Sequence, residues 1–288
     1  MAKYAEYKRY TRSRAGNVLY FGFLFLMGAF SVLPLFYCIC TAFKPLDELL
    51  IFPPRFFVSR PTIENFTVLP SLLEKLSVPF ARYIFNSFFI AICTTVLNLF
   101  ASSMAAYVLS KSRIKGRVVF FMIVQFSLLY NATTLAVPQY LIFSKLHLIN
   151  TYWVYILPAI PSSMGAFLIK QYIDSGVPDA LLEAAKIDGA GVFTVYLRIV
   201  MPIIKPALMT QLLFSFQSIW SITPTNGTIF SEELKTLPYV MGSIATGGTA
   251  RAGSAMASTV LLMIPPIIVY FISQSNIMET MSSAGLKE

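Results

Sequence analysis

Residues 84–110 read IFNSFFIAICTTVLNLFASSMAAYVLS, without one Asp, Glu, Lys or Arg. About 20 apolar residues wound as a helix cross the hydrocarbon core of a bilayer. A central charge costs about 2.5–3.5 kcal/mol on insertion, so charge-free length is the quantity that counts. Five more stretches meet that test: 15–43, 118–144, 146–169, 206–231 and 252–278, each at least 24 residues long. A seventh, 236–250, is shorter and carries Gly242, Gly247 and Gly248. It reads as a loop or a short helix packed against protein.

Composition agrees. The 288 residues are 56% hydrophobic and 12% charged, against about 25% charged in a soluble domain. So few charges cannot solvate the surface, which therefore faces lipid. The predicted fold class is an all-α membrane protein with six transmembrane helices. The first stretch exceeds the roughly 7–15-residue core of a signal peptide and reads as a retained first helix. Cys38, Cys40 and Cys93 fall inside the spans and show no metal or redox spacing.

The net charge of +9 reports topology more than nucleic acid. The N-terminal tail (1–14), the turn after the second span, the segment 170–205 and the C-terminal tail (274–288) carry 14 of the 22 basic residues. Eight remain for the opposite side, in the loops 44–82 and 223–253 and beside the third span. The positive-inside rule then predicts both termini in the cytoplasm, consistent with an even number of spans.

The spans hold no Asp, Glu, Lys or Arg. An ion-coupled transporter usually needs ionisable side chains near the midplane. The single histidine, His147, lies beside Lys145 and so near an interface. No G-x-x-x-x-G-K-[ST] occurs, so the chain does not hold ATP by a P-loop. Neutral polar residues do occur within the spans: Asn86, Asn98, Gln125, Asn131, Gln139 and Gln217. Each can line a solute path, and each can instead bond a neighbouring helix at about 0.6 kcal/mol. Trp220 and Tyr130 can stack on a sugar face or serve as packing anchors. Pro138, Pro158 and Pro161 interrupt the third and fourth spans. Broken backbone at membrane depth is tolerated where it faces protein or a watery cavity, which makes those spans candidate path-lining elements.

The segment between the fourth and fifth spans carries its own punctuation. Residues 177–189 read VPDALLEAAKIDG. Pro178 suits a first turn and Asp179 the positive helix end. Gly189 suits a left-handed stop. Ala180, Ala184 and Ala185 allow close approach to another surface. Asp188 puts a negative charge at a helix C-terminus, where it is disfavoured; a turn-forming Asp-Gly pair or a partner that meets Asp188 accounts for it. Val192, Tyr196, Ile199 and Val200 then recur at roughly helical spacing and suggest an amphipathic segment along the membrane face.

Glu183-Ala184-Ala185, Gly189, Ile199, Met201 and Pro202, in that spacing, resemble the EAA motif of ABC importer permeases, which prefers Leu where this chain has Met201. EAAKIDGAGVFTVYLRIVMPIIKPAL, AFKPLDELLIFPP, KLHLINTYWVYILP and the tail FISQSNIMETMSSAGLKE are similar to the carbohydrate-importer branch, the MalG-type subunits. The resemblance covers nearly the whole chain and implies a cytoplasmic coupling helix between helices 4 and 5 of a single permease domain. It further implies that Glu183 pairs with a basic residue of a separate ATP-binding subunit, that Ala184 and Ala185 pack closely there, and that Asp188 and Gly189 form the turn. The expected partners are a homologous second permease, two ATP-binding subunits holding ATP and Mg, and an extracytoplasmic solute-binding protein that delivers a sugar. This chain itself is expected to be non-catalytic and to bind no cofactor, metal or nucleic acid. The implied location is the bacterial cytoplasmic membrane. The path candidates are Gln125, Tyr130, Asn131, Gln139, Gln217 and Trp220. An importer of a polyol or glycerol phosphate, an ion-coupled secondary transporter and a membrane scaffold are the alternatives.

Overall fold

The computed structural model describes residues 14–74, 78–112, 114–130, 132–224, 227–246, 248 and 251–285. Every regular element among them is helical. In chain order these are α1 (Arg14–Ala42), α2 (Leu46–Leu49), α3 (Glu64–Glu74), α4 (Phe80–Lys111) and α5 (Arg117–Ser127). A 3₁₀ turn at Ala132–Leu135 leads into α6 (Ala136–Lys145), then α7 (Trp153–Ala159), α8 (Ser163–Gly176) and α9 (Asp179–Ile187). After α10 (Val192–Val195), a π turn at Tyr196–Val200 and α11 (Met201–Ile203) come α12 (Lys205–Trp220), a 3₁₀ turn at Glu232–Leu234, α13 (Leu237–Ala245) and α14 (Ala252–Gly285).

Four helical segments among the described residues are long and apolar enough to cross a membrane: Gly16–Ala42, Phe80–Lys111, Trp153–Gly176 and Ala252–Ile277. Val192–Ile203 and Lys205–Trp220, bent by 80° at Ile204, make a fifth if taken together. The third charge-free stretch is no continuous helix. It divides into α5 and α6, of 11 and 10 residues, each short of the roughly 20 needed to span alone. Pro138 lies in the first turn of α6. It has no N–H to donate to the carbonyl of Thr134, and the helices are separated by the turn at 128–130 and the 3₁₀ turn at Ala132–Leu135, ahead of the proline.

The chain forms two compact units, Met1–Leu69 with Gly247–Val260, and Pro70–Thr246 with Leu261–Glu288. In the first, α1 is apolar all round; its most apolar stretch buries no residue within the chain, and among the described residues only its end, at Thr41 and Ala42, is buried. Asn65 Nδ2 donates to the carbonyls of Ala42 and Lys44 at 2.8 and 2.7 Å, closing the open end of α1. Buried Glu48 accepts from the backbone N–H groups of Ser59 and Arg60 at 3.1 and 2.9 Å. Lys44, also buried, donates to the carbonyl of Arg55. The loop after α1 is therefore wrapped around two charges whose bonding groups are met.

In the second unit α4 and α8 make the most extensive helix pair, with α12 packed on both. Small polar residues on α4, among them Ser87, Thr94, Thr95, Ser102 and Ser103, are buried and let the helices approach. The span of α7 and α8 is broken at residues 160–162. Pro161 has no N–H, and while Ile160 stays in the helical region, Ser162 leaves it at φ −128 and ψ 107. The break frees the carbonyls of Ala159 and Ile160, and Asn98 Nδ2 of α4 donates to both, at 2.9 and 3.1 Å. Gln211 Nε2 of α12 donates to Asn98 Oδ1 at 2.9 Å and to Ser162 Oγ at 3.2 Å. Ser162 Oγ also accepts from the N–H of Gly165 at 2.9 Å and caps α8. A Cβ at Gly165 would lie 2.5 Å from Gln211 Nε2, so glycine is what lets α12 reach the break.

Asn98→Leu strands two half-buried carbonyls and is expected to cost about 1–3 kcal/mol, above the average of about 0.6 for one interhelical side-chain bond. Gly165→Ala, which pushes Gln211 off its partners, is expected to cost a similar amount. Thermal unfolding of each variant in detergent measures both.

Candidate functional site

Two regions of the second unit concentrate chemistry. The first surrounds α9. Its Leu182 and Ala185 are buried against Ala106, Ile169, Ile173 and Val177. Glu183, Ala184, Asp188 and Gly189 are exposed on its other side. The helix stops as its sequence dictates. The N–H of Asp188 reaches Ala184 O at 3.0 Å, that of Gly189 reaches Lys186 O at 3.0 Å, and that of Ala190 reaches Ala185 O at 2.9 Å. Gly189 sits at φ +77 with no atom near its missing Cβ. The glycine serves the turn's left-handed conformation and no close packing within the chain. Ala185, grouped in the sequence with Ala184 as a contact surface, instead faces this chain's own core. In the segment that follows, Tyr196 and Val200 are buried as the periodicity implies, whereas Val192 in the first turn is exposed.

Ion pairs tie α9 to its surroundings. Lys111 Nζ at the end of α4 lies 2.7 Å from Asp179 Oδ1 at the start of α9. Hydrogen bonding from Lys111, and then its charge, hold the Asp179 carboxyl below the usual carboxylate range. One turn earlier in chain order, Lys170 Nζ pairs with Asp174 Oδ2 at 2.6 Å on α8, and Ser110 Oγ donates to the same carboxylate. Arg117 Nη1 donates to the carbonyls of Ser110 and Ser112 at 3.0 and 3.2 Å, satisfying the open end of α4. These elements border a groove of about 820 Å³ lined by Lys111, Arg117, Lys170, Lys186, Asp174, Asp179 and Glu183.

The second region is a cavity of about 950 Å³ between α4, α6, α7, α8 and α12, at the helix break. Asn98, Gln139, Tyr140, Ser162, Gln211, Ser215, Ser218, Thr223 and Thr228 supply its polar groups. Phe143, Tyr155, Phe214 and Ile219 supply much of the apolar wall.

Of the six path candidates, Gln139 lines this cavity. Gln125, Tyr130 and Gln217 are exposed and belong to neither region. Asn131 lies outside the described residues. Trp220 is buried, stacked on Phe216 at 5.7 Å and edge-on to Phe88 at 5.0 Å. Its indole N–H donates to Leu262 O at 3.0 Å, a carbonyl whose helical donor would be residue 266, a proline. Within this chain Trp220 repairs a helix and presents no ring to the cavity. Asn86 is likewise structural: its Nδ2 donates to Glu233 O and Lys235 O at 2.7 and 2.9 Å, and Tyr152 Oη donates to its Oδ1 at 2.7 Å. The sequence reading missed Ser162, Gln211, Ser215 and Ser218. The spacing 211, 215, 218 puts three polar side chains on one face of α12 and was legible as such.

No family model matches the chain. It is similar to the arabinooligosaccharides transport system permease protein AraQ of Halalkalibacterium halodurans, 30% identical with 97% of this chain and 99% of AraQ covered. It is also similar to the polygalacturonan/rhamnogalacturonan transport system permease protein YtcP of Bacillus subtilis, 26% identical over 90% of this chain and 93% of YtcP. Among solved structures it resembles a bacterial ABC transporter involved in the import of the acidic polysaccharide alginate, with a TM-score of 0.69 at 22% identity, covering 92% of this chain and 99% of that one.

Lys111→Ala is expected to speed amide exchange across 179–185 by up to about fivefold, the range of an exposed ion pair. Because the Asp179 carboxyl is depressed when paired, the pair's contribution is full above the ordinary carboxylate range and is lost as pH falls through the depressed value. The difference between variant and native exchange should therefore vanish in acid, once the intrinsic pH dependence of exchange is removed.

Proposed function

The chain belongs to the permease family of ABC carbohydrate importers, and from that premise we propose that it forms half of the translocation path for an oligosaccharide or polysaccharide fragment. The observation that carries the reading is the two-sided α9. Its apolar side is buried in its own bundle, while Glu183, Ala184, Asp188 and Gly189 stand free on the other. A helix held by its neighbours and exposing one acid beside small residues and a tight turn suits docking into a groove of a separate ATP-binding subunit. In this reading Glu183 meets a basic residue there, Ala184 permits close approach, and Ala185 holds the helix to its own bundle.

The remaining assignments follow from the same premise. The chain crosses the membrane six times, the third crossing being made by the two short helices α5 and α6. Both termini and α9 lie in the cytoplasm, on the side that carries 14 of 22 basic residues; 44–82 and 223–253 lie outside. The protein sits in a bacterial cytoplasmic membrane beside a homologous permease that completes the path. Two ATP-binding subunits carry ATP and Mg and supply the energy, and an outside binding protein delivers the solute. This chain performs no chemistry of its own. Relatives named for arabino-oligosaccharides and for polygalacturonan support a sugar as the cargo. Gln139 is the path candidate from the sequence that the cavity supports best.

Purification of the tagged chain from native membranes in mild detergent, followed by mass spectrometry, tests the assembly. A second permease and a P-loop ATPase are expected to co-purify, and a chain that comes alone under every mild condition would sink the reading. In the reconstituted complex, Glu183→Ala is expected to reduce solute uptake by about tenfold or more, with solute binding to the external binding protein unchanged. Unaltered uptake would remove Glu183 from the docking contact.

A further inference from the structure

We infer that the cavity at the helix break is built for an uncharged, polyhydroxylated solute and excludes acidic sugars such as uronates. The inference rests on the permease reading above and narrows its substrate class. The named relatives divide on this point, one being assigned a neutral pentose oligosaccharide and the other an acidic polygalacturonan.

Among the described residues that line the cavity there is no Asp, Glu, Lys, Arg or His. A carboxylate entering such a space gives up its hydration and finds no cation to replace it, a penalty that grows as the walls become less polar. A helix N-terminus could substitute for a cation, since it carries about half a positive charge. α8 does begin at this cavity. However, α7 ends there too, so the break sets the negative end of one helix against the positive end of the next. The two partial charges offset each other. α6 begins and α12 ends at the same cavity, so positive and negative helix ends meet there, and Asn98 and Ser162 Oγ engage the carbonyls of Ala159 and Ile160 and the N–H of Gly165. The described lining therefore presents no charged side chain, and its helix ends are of both signs.

What it does present matches a sugar hydroxyl, which both donates and accepts. Gln139 and Ser218 face the cavity as amide and hydroxyl. Gln211 Oε1 and Ser215 Oγ are buried in its wall without a hydrogen-bond partner. Both atoms are closed off from the cavity, so the groups a solute hydroxyl meets are those of Gln139 and Ser218. Tyr140 and Phe214 offer apolar ring surface of the kind that packs on the C–H faces of a pyranose or furanose. A volume near 950 Å³ falls in the range of roughly 300–1,000 Å³ that holds a drug-sized molecule, a short oligosaccharide included.

The test avoids the selectivity of the external binding protein. Ser218→Cys is introduced into the chain, the complex is assembled with its permease and ATPase partners in lipid nanodiscs, and position 218 is labelled with neutral and anionic methanethiosulfonates of similar size. Mass spectrometry reads the modified residue, so Cys38, Cys40 and Cys93 remain in place. Relative to free cysteine, the anionic reagent is expected to react at least about tenfold more slowly than the neutral one. A neutral arabino-trisaccharide is expected to slow labelling, and trigalacturonate at the same concentration is not. Equal reagent rates, or protection by trigalacturonate as good as that by the neutral sugar, would overturn the inference. If no reagent reaches position 218 in the assembled complex, or no ATPase assembles at all, the permease path itself fails, a result distinct from failure of the charge argument.

Discussion

In a bilayer a backbone carbonyl that loses its helical donor has no water to turn to, and each such group must find a partner inside the protein. Prolines remove donors from the helices of this chain, with a break at Pro161 and none at Pro266, and side chains from neighbouring helices meet the consequence. Asn98 takes up the two carbonyls freed before Pro161. Trp220 takes up the carbonyl whose donor Pro266 cannot supply. Ser162 caps the restarted helix, and Gln211 joins it to Asn98. These few bonds decide which helices must touch. They therefore fix the pairing of α4 with α8 and α12, and the place where a cavity can form.

The same pair of helices connects the groove beside α9 with the cavity at the break. Asn98 and Ser110 lie on one helix, twelve residues and so about 18 Å apart at 1.5 Å per residue. Along α8, Ser162 caps one end and Asp174 meets Ser110 near the other. A displacement applied to α9 can thus pass through Lys111, Asp174 and the close packing of α4 on α8 to the broken backbone at the cavity, without crossing a loop. The proposed docking of α9 on a separate ATP-binding subunit would need such a continuous connection between α9 and the break.

Polarity within the membrane serves two ends here, and the residue type alone does not say which. Asn86 and Asn98 are both fully engaged with backbone carbonyls, yet only Asn98 borders the cavity. Trp220 has the ring a sugar would stack on, but its position on α12 turns it toward Phe88 and Phe216. The cavity is furnished by amides and hydroxyls from α6, α8 and α12, brought together by the break.

Charge-free length and the punctuation around 177–189 are local properties, and the sequence alone carried them to the membrane class, the helical fold and the limits of α9. Pro178, Asp179 and Gly189 act on their own turn, so their effect could be read without knowing the neighbours. Likewise Pro161 announced a break in the fourth span. Other features depended on long-range pairing. The third stretch is charge-free along its length but its helices separate well before Pro138, and only the folded chain shows where. Ala185 faces its own bundle and Ala184 does not, although the two are adjacent and identical. Gln211, Ser215 and Ser218 became a cavity wall because α12 packs against a broken helix about 50 residues away in the chain. Single residues determine where a helix starts, stops or breaks, because those terms act within one turn; which of its faces lines a cavity is decided by what packs against the others.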